Sequence, residues 1–254
     1  MGYVISIANQ KGGVGKTTTS VNICASLAAV KRKCLLVDCD PQGNATTGLG
    51  FDRLNIENGL YDLIFGTAPE DETITKTILS RMQLIGATAN LVGAEIEMHS
   101  MDQKETLLRR SLHTLRERYD YIFLDCPPSV GFLTVNALVA SDLIIIPLQC
   151  EYYALEGLSQ LLKTLKAVKR RLNPTLKLAG ILLTMYDKRN NLSRQVADEV
   201  RAHFKKHVFR TVIPRNVRLS ESPSYGKPVL LYDIHCKGAQ SYISLAKELI
   251  KKGI

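Results

Sequence analysis

The sequence predicts a single doubly wound α/β domain spanning residues 1–254, with a mainly parallel sheet and helices on both faces. Three observations predict it. Apolar runs alternate with helix-period segments along the whole chain, the pattern of repeated βαβ units. Several runs are continuously apolar, such as Leu143-Ile144-Ile145-Ile146, which suits strands covered on both faces. A glycine-rich loop joins the first run to the first helical pattern, and open sheets of this kind hold ligands at the carboxyl ends of their strands.

In chain order, strands are expected at residues 3–8, 34–38, 82–86, 121–125, 143–147, 178–184 and 211–213. Helices are expected at 16–30, 103–118, 133–140, 155–172, 193–206 and 239–252. Residues 46–90 are the least regular stretch. There, 59–66 reads as a short helix and 67–80 as a loop with another short helix. The loops after Ala8, Asp38 and Asp125 should open at one edge of the sheet.

Composition narrows the class. Hydrophobic residues make up 45% and charged residues 22%, which fits a soluble globular chain. No apolar run approaches the roughly 18–20 residues that span a bilayer, and no signal peptide is expected ahead of the first strand. Cysteines 24, 34, 39, 126, 150 and 236 are scattered, without C-x-x-C or Cys/His spacing. Buried reduced thiols in a cytoplasmic protein are the economical reading. Net charge is +9, and residues 188–227 carry ten basic against three acidic side chains. A localised excess of this kind suggests a polyanionic partner.

The loop reads Ala8-Asn9-Gln10-Lys11-Gly12-Gly13-Val14-Gly15-Lys16-Thr17-Thr18-Thr19-Ser20. Its glycines let successive N–H groups face an anion, and the following helix adds its positive end. Lys16 is placed to reach terminal phosphates and Thr17 to set its hydroxyl on Mg²⁺. The usual motif would have glycine where Gln10 stands, and it lacks the additional Lys11.

Two carboxylate motifs follow. Leu35-Leu36-Val37-Asp38-Cys39-Asp40-Pro41-Gln42-Gly43-Asn44 ends a strand in a Pro/Gly turn, where carboxylates can hold water or support a magnesium shell. Tyr121-Ile122-Phe123-Leu124-Asp125 is a Walker B pattern, whose aspartate commonly reaches Mg²⁺ through water.

The loop with Lys11 resembles the deviant Walker A motif of the ParA/MinD ATPases. Residues 147–157, beginning Pro147-Leu148-Gln149-Cys150-Glu151-Tyr152-Tyr153, and Ile213-Pro214-Arg215-Asn216-Val217-Arg218-Leu219-Ser220-Glu221 occur in family order and point to its ParA/Soj branch. The resemblance implies ATP and Mg²⁺ as ligands, with Lys11, Gly12, Gly13, Val14, Gly15, Lys16, Thr17 and Thr18 at the phosphates. It further implies Lys11 acting across a homodimer interface, Asp40 positioning the attacking water, and Pro214 and Asn216 beside adenine. Thus Lys11, Lys16 and Asp40 become the candidate catalytic set, and Thr17 and Asp125 the candidate metal set. Asp38 is read as a supporting residue that contacts the loop or its lysine. Tyr152 and Tyr153 receive no catalytic task and are at least as well explained by packing.

Arg189 and Arg218 match the basic DNA-contact surface of Soj-like relatives, and Lys188, Arg194, Lys205, Lys206 and Lys227 could extend it. Without a base-reading motif, such a surface binds double-stranded DNA nonspecifically through phosphates. The resemblance also implies a ParB-type partner that stimulates slow hydrolysis, and a cytoplasmic, nucleoid-associated place. A MinD-like membrane ATPase is the alternative, since residues 239–252 form a basic amphipathic helix. That helix is read here as core cover, so no stable membrane association is expected.

Overall fold

A computed structural model describes residues 2–152 and 154–254. The strands are β1 (Tyr3–Ile7), β2 (Cys34–Asp38), β3 (Thr75–Lys76), β4 (Met82–Ile85), β5 (Tyr121–Asp125), β6 (Leu143–Gln149) and β7 (Lys177–Thr184). The described residues form one seven-stranded sheet in the order β3-β4-β2-β5-β1-β6-β7. Every pairing is parallel except that of β3, a two-residue antiparallel edge on β4.

The helices are α1 (Lys16–Ala29), α2 (Asn44–Gly48), α3 (Leu60–Phe65), α4 (Ala94–His99), α5 (Leu107–Ser111), α6 (Leu115–Arg118), α7 (Phe132–Ala140) and α8 (Ala154–Arg171). Then follow α9 (Asn191–Phe204), α10 (Val217–Glu221), α11 (Val229–Tyr232) and α12 (Lys237–Lys251). The apolar strand residues point alternately into two cores. One face packs α1 and α12 with parts of α2, α10 and α11, through Ile23, Leu27, Ala45, Leu219, Val229 and Leu245. The other packs α3 to α9, through Leu63, Leu108, Leu138, Leu158 and Val200. From β1 the chain crosses to β2 by α1 on the first face; from β5 it crosses to β6 by α7 on the second. These opposed crossings open a crevice at the carboxyl end of β1, where doubly wound sheets hold ligands.

Two expected elements differ. Residues 211–213 are not a strand. The Arg210 and Thr211 N–H groups donate to the Glu248 carboxylate at 2.9 Å each, so the contact with β7 is reduced to single bonds, such as the Ile213 N–H to the Leu183 carbonyl at 2.9 Å, and to isolated bridges at Val208 and Pro214. The helix expected over 103–118 is broken into a 3-10 turn, α5 and α6. Asn136 reaches into it, donating to the Lys104 carbonyl and accepting from the Leu108 N–H, while Leu107, Leu108, Leu112 and Leu115 still face the core.

Among the described residues no helix is long and apolar enough to cross a membrane. The apolar face of α12 is spent inside the protein: Ala239, Tyr242, Leu245, Ala246 and Leu249 are buried, and the Tyr242 hydroxyl meets Thr19 of α1 at 3.2 Å. This agrees with its reading as core cover. Cysteines 24, 34, 39, 126 and 150 are buried free thiols, whereas Cys236 is partly exposed and its Sγ accepts the Ala239 N–H at the start of α12.

Because Leu245 is fully buried against α1, Leu245→Ala should destabilise the fold by about 2–5 kcal/mol in a denaturant titration. An unchanged midpoint would show that α12 does not seal this core.

Candidate functional site

The loop between β1 and α1 is held from two neighbouring strands. Asn9 donates to the Pro147 carbonyl on β6 at 2.7 Å and accepts the Lys11 N–H at 3.0 Å. Thr184, the last residue of β7, donates to the Val14 carbonyl at 2.8 Å. Gln10 reaches Thr164 of α8 at 3.3 Å. Gly13 and Gly15 take positive φ of 72° and 86°, which glycine adopts without strain. Gly15 caps α1 without a side-chain bond, so the helix opens toward the cavity with its first N–H groups.

That cavity, about 610 Å³, is lined by Gly12, Gly13, Gly15, Lys16, Thr17 and Thr18 of the loop and by Asp40, Gln42, Asn44, Thr47 and Gly48 of the second motif. Pro128, Met185, Pro223 and Ser224 close it. The expected phosphate residues therefore meet in one place, except two. Val14 is buried, its carbonyl turned to Thr184. Lys11 lies outside the lining, with its ammonium 2.7 Å from Glu151 in a half-exposed pair. Such a pair contributes only about 0–1 kcal/mol and is easily exchanged. Pro214 and Asn216 also lie outside the lining, although Asn216 carries a buried Oδ1 without a hydrogen-bond partner.

The charged centre is buried. Lys16 is buried, and its ammonium donates to the Lys11 carbonyl at 3.1 Å. Burial lowers its pKa, while Asp125, Cys126 and Asp40 pull in the opposite direction. Asp125 is fully buried at the end of β5, in register with Asp38 on β2. Ser20 donates to its Oδ1 at 2.8 Å, and Oδ2 has no hydrogen-bond partner. Burial raises the Asp125 pKa, the Asp38 carboxylate raises it further, and the Ser20 and Thr17 hydroxyls oppose both. A buried carboxylate with a spare oxygen next to a threonine hydroxyl fits a hydrated divalent cation, which would satisfy that oxygen through water.

Asp38 does not contact the loop or Lys16 by hydrogen bond. Its Oδ2 accepts from the Thr46 N–H and hydroxyl at 2.8 and 2.7 Å, fixing the start of α2, and its Oδ1 accepts from the Asp40 N–H at 3.3 Å. Burial, the largest influence, raises its pKa against these bonds. Asp40 accepts the Gln42 N–H at 2.9 Å and faces the cavity.

Sequence reasoning missed several lining residues. Gln42, Asn44 and Thr47 lay in or beside a quoted motif and were legible as part of its turn. Pro223 and Ser224 come from a remote segment with no local signal. Tyr152 is 74% exposed, and Tyr153 lies outside the described residues.

Arg189, Arg218 and Lys205–Lys206 each have separate surroundings. Arg189 pairs with Asp187 at 2.9 Å, and this bond draws the Asp187 pKa down to about 2. Arg218 pairs with Glu221 at 2.8 Å, lies 3.5 Å from Asp233 and sits over the Tyr232 ring. Lys205 and Lys206 instead line a groove with Arg210, Lys247, Lys251 and Lys252. Its one carboxylate, Glu248, is occupied by the Arg210 and Thr211 N–H groups.

Removing the β7 tether should loosen the loop while leaving its shape available. Thr184→Val is expected to weaken nucleotide affinity roughly fivefold, the equivalent of one hydrogen bond of about 1 kcal/mol. Unaltered affinity in a fluorescent-nucleotide titration would contradict the tether.

A family model described as an AAA domain matches residues 2–178. The chain is 55% identical to the chromosome partitioning protein ParA of Myxococcus xanthus, over 99% of this chain and 89% of that protein. It is 53% identical to the sporulation initiation inhibitor protein Soj of Bacillus subtilis, over 100% of both. Among solved structures, a cobyrinic acid a,c-diamide synthase from Mycobacterium smegmatis with ADP and magnesium superposes with a TM-score of 0.87 at 36% identity, covering 100% of this chain and 96% of that one. The cell division ATPase MinD of Pyrococcus furiosus gives 0.82 at 26% identity, covering 99% and 100%. With identity above one half to a ParA and a Soj protein over nearly the whole chain, and with the loop and both aspartate motifs gathered at one crevice, this chain belongs to the ParA/Soj family of partitioning ATPases.

Proposed function

We propose that this chain is a nucleotide-controlled partitioning switch that binds ATP with Mg²⁺, pairs with a second copy, holds DNA, and lets go on hydrolysis. The observation that carries the reading is the buried Lys16–Asp125 centre, with a spare Asp125 oxygen, beside a cavity lined by loop glycines, Thr17 and Asp40. The loop N–H groups and Lys16 hold the phosphates. Thr17 and Asp125 would hold a magnesium ion, which would supply charge neutralisation at the phosphates when bound. Asp40 orients a water toward the γ-phosphorus. As the new P–O bond forms, the bond to the bridging oxygen breaks, giving ADP and phosphate.

Lys11 completes the site from the partner copy. Its side chain already stands outside its own cavity, and its weak pair with Glu151 is exchanged for phosphate when two copies meet. Pairing two subunits also pairs two basic surfaces, so each modest half-site gains effective concentration on DNA. Arg189, Arg218 and the lysine groove between the turn after α9 and helix α12 supply phosphate contacts without base readout. A ParB-type partner accelerates turnover, which separates the copies and moves cargo along the nucleoid. The membrane alternative has less support, because α12 commits its apolar face to the core.

DNA co-sedimentation with ATP, ADP or no nucleotide at rising salt tests the reading. Binding should require ATP and fall steeply with salt. Arg218→Glu should weaken it while ATP affinity is kept. Salt-insensitive binding, or equal binding without nucleotide, would overturn the DNA role.

A further inference from the structure

Arg53 is half-buried in the irregular stretch after α2, and no motif includes it. Its guanidinium donates to three main-chain carbonyls that come from two segments. Nη1 reaches Gln42 at 2.9 Å, Nε reaches Ala87 at 3.1 Å, and Nη2 reaches Thr88 at 3.3 Å. One side of this bridge is the turn that carries Asp40; the other is the chain just beyond β4. The fork geometry of a guanidinium can hold several carbonyls at once, which a lysine cannot reproduce.

The bridge is closely fitted. Gly43 sits at φ 65°, and a methyl group built there would lie 2.3 Å from Arg53 Cδ and 2.4 Å from its Nε. The same two segments are tied a second time from inside, where the Ala87 N–H donates to the Thr46 hydroxyl at 3.0 Å and that hydroxyl donates to Asp38. The turn is therefore fixed at Thr46 by the buried Asp38 and at Gln42 by Arg53. Between these two fixed points, Gln42 and Asn44 line the phosphate cavity, and the Gln42 N–H holds the Asp40 carboxylate.

We infer that Arg53 is a positioning residue for hydrolysis, acting through the Gln42–Gly43 backbone to hold Asp40 at its working distance from the γ-phosphate. It rests on the ATPase reading above. Arg53 is absent from the cavity lining and from the loop contacts, so its effect falls on the chemical step more than on nucleotide capture. Small displacements of a water-positioning group cost rate steeply, up to about 100-fold for 1 Å.

The test compares phosphate release from ATP with Mg²⁺ by the full chain, Arg53→Ala and Arg53→Lys, alongside affinity for a fluorescent ADP analogue and a denaturant midpoint. Arg53→Ala should lose about 10-fold in kcat, with KM and ADP affinity within about twofold. Arg53→Lys, which keeps the charge but not the fork, should fall between. A wild-type kcat in Arg53→Ala, or a loss confined to KM, overturns the inference while the ATPase reading stands. Loss of ADP binding together with the denaturant midpoint also overturns it, since Arg53 would then serve the fold. No hydrolysis by the wild-type chain overturns both.

Discussion

Everything at the carboxyl edge of this sheet answers to a problem of buried charge. Asp125 and Asp38 end adjacent strands in register, both fully buried, with Lys16 near Asp125. Carboxylates this close cannot be left without compensation in a dry site. Asp38 is satisfied by the start of α2 and by the Asp40 N–H. Asp125 is satisfied on one oxygen by Ser20, one turn into α1 from Lys16. Helix α1 is thereby pinned by its own phosphate-binding end, and the oxygen left over is the feature that makes a cation at this spot chemically sensible.

The same constraint explains why distant segments matter. Helix α1 is covered by α12 through Tyr242 and by the segment from α10 to α11, where the Val229 N–H donates to Asn22 at 2.7 Å. That segment also supplies Pro223 and Ser224 to the cavity, presses Gly226 against Gly50 just past α2, and carries Arg218 on its outer side. One short stretch of chain thus touches the nucleotide cavity, the turn region and the basic surface.

The fold and much of the site were legible because they are written locally. A strand of apolar residues ending in Asp38 or Asp125, and a glycine loop between β1 and α1, are strings of neighbouring residues whose chemistry and geometry coincide. What escaped was decided by residues far apart in the chain. The strand expected at 211–213 is interrupted where the Thr211 N–H turns to Glu248 on α12, leaving Ile213 a lone bond to β7. The helix expected across 103–118 was interrupted by Asn136 from α7. The two-residue β3 was too short for any periodicity to reveal. Arg53 gives no signal either, because its partners are carbonyl groups and any sequence has those. Lys11 is the converse case: its motif is plain, while its side chain pairs with Glu151 and lies outside the cavity lining.

The central claim is that Lys16, within this loop, holds the phosphates of a magnesium-bound nucleoside triphosphate. The most direct measurement is a calorimetric titration of ATP, with magnesium, into the wild-type chain and into Lys16→Ala. The account predicts one nucleotide per chain for the wild type and loss of that binding in the variant. Equal affinity in the two proteins would contradict it.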